Sequence, residues 1–221
     1  MFNSKINNRV FTQVEHARLA GMLALNWGNE KFLLPNIEQK KFVSGVTFHD
    51  RGYELLDTSP IGETDEAEWV AIQQRGFEKD RGDPVVDLLV KLQIVRLLSY
   101  SDKPERKPLI EGMQNEISRL IKDSRISEQT IYHADSITAF CDKLSFDICF
   151  EEPFEYEVSV FKREKEQVRV HCQRADESTI QLNPWPFGTE FVETFLIAYE
   201  QKGYPEKLTP ELVPLRFLKK V

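Results

Sequence analysis

Cysteine is scarce in this chain of 221 residues, with three residues, Cys141, Cys149 and Cys172, and no CxxC spacing. That number and spacing exclude a disulfide framework and a thiolate zinc site. They read as reduced cytosolic thiols, with Cys141 and Cys149 as helix-packing residues. Histidine is almost as scarce, with four residues. No stretch approaches the roughly 20 apolar residues of a membrane span. Met1-Phe2-Asn3-Ser4-Lys5 lacks the apolar region of a signal peptide. No block of Lys and Arg stands out and the net charge is -7, which disfavours a general nucleic-acid-binding role. These absences predict a soluble cytoplasmic protein with neither nucleic acid nor membrane as partner.

What is present is enough apolar sequence for a core, at 41%, in one large domain or a domain with an appendage. Fifteen phenylalanines point to an aromatic-rich core. Residues 10 to 27 read as a first helix with a stripe of Ala17, Ala20, Gly21 and Ala24, small enough to admit another helix closely. Residues 37 to 49 form a second helix, and 66 to 78 a short one. Asp83-Pro84 opens a third long helix, to about residue 101, that is apolar on most faces and therefore central. A surface helix over 108 to 123 follows, and Ser127 caps a last long helix ending near Phe150.

After Glu152-Pro153 the period changes from helical to alternating. Residues 156 to 162 and 167 to 173 read as a hairpin, 178 to 182 as a third strand, and 190 to 200 as a further strand in preference to a helix. Asn183-Pro184-Trp185-Pro186-Phe187 reads as a rigid aromatic loop anchored on the helices. The tail from Pro205, with Pro210 and Pro214, reads as irregular with one short helical turn. The expected fold is thus mainly α: a helical bundle over 1–150 with a small C-terminal antiparallel β appendage over 151–221, packed on it as one structural unit that is α+β overall.

Chemistry concentrates in Lys40 to Tyr53. Phe42, Val43 and Val46 carry the chain to His49-Asp50, and adjacent side chains at a helix end project about 100° apart, so both can enter one pocket. An imidazole nitrogen and a carboxylate oxygen make half a divalent-cation site. His16 borders the small-residue stripe, with Gln13 and Ala20 one turn to either side. A lone His on such a face is more often a hydrogen-bonded core residue than a ligand. Asp142 lies within the stripe of the last helix, one turn from Thr138 and Ser145. It is either a cation ligand or an edge carboxylate paired with Arg or a hydroxyl. His133 is half a turn out of phase with Asp142 and reads as structural; Asp135 is in phase two turns away; His171 reads as a surface residue. The acidic segment 61 to 66 reads as a solvated loop, with a lid beside His49-Asp50 as the less favoured alternative.

The order His16, then His49-Asp50, then Asp142-Lys143-Leu144-Ser145 on successive helices resembles the HD-domain superfamily of metal-dependent phosphohydrolases. Within it the chain is similar to an uncharacterised bacterial family, domain of unknown function 3891. The likeness is carried by Glu15-His16-Ala17-Arg18-Leu19-Ala20-Gly21 with Trp27-Gly28, by His49-Asp50-Arg51-Gly52-Tyr53 with Asp57 and Pro60, by Asp142 to Phe146 with Cys149, and by Pro184-Trp185-Pro186-Phe187. Tyr53 stands where that pattern has Trp, and Gln93 where it has His, which leaves the pocket poorer in ligands.

The resemblance implies an HD-domain-like bundle in which His16, His49, Asp50 and Asp142 hold one divalent ion, Mn, Fe, Zn, Ni or Co. It implies that fold and site but no reaction, since the family is uncharacterised; the first reading for the site is hydrolysis of a small-molecule phosphate ester or nucleotide by metal-activated water. Glu54 or Asp57 could then join Asp50 in catalysis as general base, and Arg18 or Arg51 could hold substrate oxygens, on sequence proximity. A non-catalytic HD-like binding or structural module is the alternative. A di-iron oxygenase is a weaker one, because four histidines supply too few nitrogen ligands. A homo-oligomer stays open.

Overall fold

The computed structural model of the protein describes residues 1–220. Two short strands, β1 (Phe2–Asn3) and β2 (Arg9–Phe11), lead into helices α1 (Gln13–Asn26), α2 (Gln39–Thr47), α3 (Glu66–Glu78), α4 (Pro84–Leu98), α5 (Lys107–Ser124) and α6 (Glu128–Phe150). Strands β3 (Glu155–Arg163), β4 (Glu166–Arg174), β5 (Thr179–Asn183), β6 (Phe191–Glu200) and β7 (Pro210–Lys219) follow. No helix among the described residues is long and apolar enough to cross a membrane.

The helix starts follow capping chemistry. Thr12, Asp65, Asp83 and Ser127 each accept a hydrogen bond from an amide in the first turn of α1, α3, α4 and α6. Helix α4, buried on most of its faces, packs against α2, α3, α5 and α6. Helix α1 packs against α2 and α6, and its small residues set the spacing. A Cβ at Gly21 would overlap Thr47 Oγ1 and stand 3.0 Å from its Cβ and 3.2 Å from its Cα.

The strands correct the expected architecture. All seven join one sheet in the order β1-β2-β6-β7-β5-β4-β3, antiparallel except for the parallel pair β5–β7. The fold is therefore α+β and not a mainly α helical bundle with a small antiparallel appendage. Two features concealed this. Strands β1 and β2 are too short to show alternation. The prolines of the tail suggested irregular chain, yet residues 210–219 pair with β6 along their length. Pro210 and Pro214 are tolerated because pairing with β5 begins only at Arg216, so beside them β7 has no partner on that side to require a donor.

One face of the sheet lies on α1 and α6, and a single apolar cluster runs across both layers, including Phe2, Phe11, Leu23, Phe140, Val160 and Phe217. A second cluster fills the space between α3, α4 and α5. The aromatic loop docks as its composition suggests. Gly28 N–H donates to the Pro186 carbonyl at 3.0 Å, and Asn29 Nδ2 to the Trp185 carbonyl at 2.9 Å.

The close α1–α2 contact gives a paired test. Gly21→Ala must push α1 from α2, so a loss of about 1–3 kcal/mol is expected in urea unfolding. Gly112→Ala, in α5 with nothing within 4 Å of an added Cβ, should raise stability by roughly 0.5–1 kcal/mol.

Candidate metal centre

Helix α2 stops at Thr47, two residues earlier than its pattern suggests, and His49-Asp50 lies in the tight turns that follow. Arg51 N–H donates to Phe48 O at 3.0 Å and Tyr53 N–H to Asp50 O at 3.1 Å. The next residues lock this turn onto two other helices. Arg51 Nε donates to the Gly76 carbonyl at 2.7 Å, and its guanidinium pairs with the buried Asp87 carboxylate of α4. Gly52 lies so close to α3 that a Cβ would overlap the Ile72 carbonyl oxygen. Arg51 and Gly52 thus clamp the backbone, and Asp50 is left facing a cleft.

His16, His49, Asp50 and Asp142 converge. His16 Nε2 lies 3.1 Å from His49 Nε2 and 3.1 Å from Asp142 Oδ1, and His49 Nε2 lies 3.2 Å from the same oxygen. Asp50 Oδ2 is 3.5 Å from each imidazole nitrogen. Ligating atoms of His16, His49 and Asp50 all fall within 4.8 Å of one another. The other ring nitrogens are engaged. His49 Nδ1 donates to the Val46 carbonyl at 2.7 Å. His16 Nδ1 shares a hydrogen bond with Ser145 Oγ at 2.9 Å, and the Ser145 hydroxyl also lies 3.0 Å from the Asp142 carbonyl. With Nδ1 of both rings held from behind, the two Nε2 atoms face each other and the carboxylates.

The electrostatics match this geometry. Burial opposes charge on His49, but Asp50, Asp142 and the Val46 carbonyl outweigh it and hold its pKa up at about 9. Burial also opposes the charged form of Asp142, yet His49 and His16 keep its carboxyl well below the usual range. For Asp50 burial wins: its pKa is raised, and the imidazoles offset that only in part. The cluster calls for positive charge at its centre. A proton on His49 can supply it, and two imidazoles with two carboxylates are also the donors that divalent first-row ions take.

Gln93 is fully buried beside the cluster. Its Nε2 donates to Asp142 Oδ2 at 2.5 Å, and its Oε1 accepts from Arg96, which is held by Asp135 at 2.6 Å. Gln93 therefore orients a carboxylate instead of adding a ligand, and Asp135 acts through Arg96. Neither role was visible in the spacing; an Arg three residues after a buried Gln is the only sequence trace. His133 is buried with both ring nitrogens unpartnered, and His171 pairs with Glu155 at 2.9 Å, so neither joins the cluster.

Asp50 and Asp142 line a cleft of about 500 Å³, while His16 and His49 stand behind them, at most 1% exposed. Tyr53, Trp69, Tyr100 and Phe146 supply aromatic walls that sequence reasoning missed, since no periodicity marks them. Ile61, Gly62, Thr64 and Glu66 form one rim, so the segment read first as a solvated loop borders the cleft. The remaining sequence-predicted residues lie elsewhere. Glu54 is exposed and lines a neighbouring cleft with Asp57. Asp57 accepts the Gln13 N–H at 2.9 Å and pairs with the Met1 amino group. Arg18 binds Glu15 and the Phe195 carbonyl, and Glu15 accepts the Ile197 N–H at 2.7 Å, tying α1 to β6.

Arg51 can be tested for a structural part. Arg51→Met leaves the buried Asp87 with only the Arg81 N–H and no cation, and should cost about 3–5 kcal/mol of unfolding free energy. A substrate-holding role would instead leave the melting temperature unchanged.

A family model described as "Protein of unknown function (DUF3891)" matches residues 2–200. No curated protein and no solved structure matches the chain. The match spans both the helices that carry the His-Asp cluster and most of the sheet beneath them, and the chain belongs to the DUF3891 family.

Proposed function

We propose that His16, His49, Asp50 and Asp142 form an HD-domain-like site for one divalent metal ion, and that the protein is a metal-dependent hydrolase of a phosphate ester or nucleotide. One observation carries the reading. Two buried imidazoles, each with Nδ1 engaged, bring Nε2 within 3.1 Å of each other, beside two carboxylates that open on a cleft. Nitrogens and carboxylates so placed call for a proton or a metal ion at their centre, and two imidazoles with two carboxylates are the donors a divalent ion takes. An ion there would supply Lewis acidity, lowering the pKa of water and polarising a phosphoryl oxygen.

The chain's own groups take the other roles. Ser145 and the Val46 carbonyl fix the ring orientations of His16 and His49. Gln93 holds Asp142 Oδ2 and so leaves Oδ1 toward the imidazoles. Asp50 turns Oδ2 to the imidazoles, and its Oδ1 makes no hydrogen bond among the described residues. That oxygen is the one to take a proton from an attacking water. Glu54, Asp57, Arg18 and Arg51 are not needed in this reading. A mononuclear site is favoured over a di-iron one because His133, buried without a partner, and His171, paired with Glu155, both lie outside the cluster.

Elemental analysis of protein purified without chelator tests the reading. About one equivalent of Mn, Fe, Zn, Ni or Co per chain is expected, lost in Asp50→Ala, with phosphoester hydrolysis tracking metal content. No metal in the parent protein even after reloading, or full metal with no hydrolysis across a broad phosphoester panel, would sink it. Ser145→Ala should keep the fold and weaken metal binding by roughly 10- to 100-fold, read by competition with a chelating dye.

A further inference from the structure

The cleft in front of the cluster has an unusual balance of groups. Four aromatic side chains, Tyr53, Trp69, Tyr100 and Phe146, line it, but no uncommitted cation does among the described residues. Its one lysine, Lys143, is engaged by Asp147 and lies 4.4 Å above the Tyr156 ring, while Glu66 is paired with Lys103 at 2.7 Å and with Arg106. The remaining charges are the two cluster carboxylates, Asp50 and Asp142. A polyphosphate entering this space would bring three or four negative charges against two carboxylates and apolar walls, where one divalent ion offsets them only in part and the one lysine, Lys143, is paired with Asp147. Uncompensated burial of charge on that scale is strongly unfavourable.

Gln13 is the second observation. It is the first residue of α1, one turn before His16 and on the same side of the helix. It lines the cleft at 4% exposure, yet its side chain makes no hydrogen bond among the described residues, and its Oε1 is buried without a partner. A buried amide in that condition needs an explanation, and one beside two candidate ligands has an obvious one. Its backbone N–H is separately used by Asp57, so the side chain is not needed to hold the helix start.

We infer that the cleft takes a substrate with a flat, largely apolar body and a single acidic group, that Gln13 hydrogen-bonds this substrate next to the His-Asp cluster, and that polyphosphates are excluded. The inference rests on the metal-hydrolase reading and narrows its substrate class. The aromatic walls stack the body, the acidic group meets the cluster, and the Gln13 amide bonds an oxygen or N–H of the bound molecule. Discrimination comes from the missing cations as much as from the aromatic rings.

Calorimetric titration of the metal-loaded, dialysed full chain tests this with four probes: phenyl phosphate, adenosine 5′-monophosphate, adenosine 5′-triphosphate and inorganic phosphate. The two aromatic monoesters should bind at least about tenfold more tightly than inorganic phosphate or the triphosphate. Gln13→Ala should weaken monophosphate binding by roughly five- to tenfold, with metal content and melting temperature unchanged. Trp69→Ala should remove most of the advantage of phenyl phosphate over inorganic phosphate. If the triphosphate binds as tightly as the monophosphate, if the aromatic esters gain nothing over inorganic phosphate, or if Gln13→Ala leaves binding unchanged, the inference fails while the metal reading stands. A chain that takes up no metal overturns both.

Discussion

Two imidazole Nε2 atoms, each on a ring held by a hydrogen bond at its far nitrogen, lie 3.1 Å apart in the interior of this protein. Such a pair, with two carboxylates beside it, calls for a proton or a metal ion at its centre, and the rest of the structure can be read as what holds the rings there. Helix α1 brings His16 because its small residues let α2 approach to contact, with Gly21 against Thr47. The turn after α2 brings His49 and Asp50 because Arg51 and Gly52 fasten it to α3 and α4. Helix α6 brings Asp142 together with the Ser145 hydroxyl that holds His16 Nδ1 at 2.9 Å.

The sheet is part of the same device. Phe2, on the first strand, lies 5.2 Å from the His16 ring by centroids, and Phe146 and Phe150 pack edge-on against it. The back of the cluster is thus dry and apolar, and its front, where Asp50 and Asp142 lie, faces the cleft. That asymmetry raises the stakes of every polar contact in the cluster, because low local polarity strengthens paired charges and penalises unpaired ones. The two carboxylates differ because Asp142 is within hydrogen-bond reach of both imidazoles, which hold its pKa down, while Asp50 stands 3.5 Å from each and burial raises its pKa.

Much of the helical layer was legible in sequence because its signals are local. Asp83-Pro84 and Ser127 cap helices where their chemistry says they should, and the stripes of α1 and α6 are buried as their spacing implies. The ordering His16, His49-Asp50, Asp142 was also legible, and the four residues meet. Assignments made from closeness in sequence fared differently. Arg51 adjoins Asp50 in the chain, yet its side chain runs to Asp87, and Glu54 turns to another cleft. In a tight turn successive side chains leave in different directions, so adjacency says little about a shared pocket.

By itself the sequence determined which helices form, where α4 and α6 start, and which faces are apolar, since capping and periodicity act over a few residues; the start of the first helix, read at residue 10, is instead strand β2, and α1 begins at Gln13. It also determined the residue types available for a cation site and, through the scarcity of histidine, how small that site must be. Only the tertiary structure decided that one seven-stranded mixed sheet replaces the small appendage, because the pairing of β2 with β6, and of β7 with β5, joins segments apart in the chain. It alone decided that Gln93 orients Asp142 and that aromatic side chains from separate elements wall one cleft. Contacts between distant segments depend on how whole elements pack, and no local pattern of residues encodes the direction in which a single side chain will point once they do.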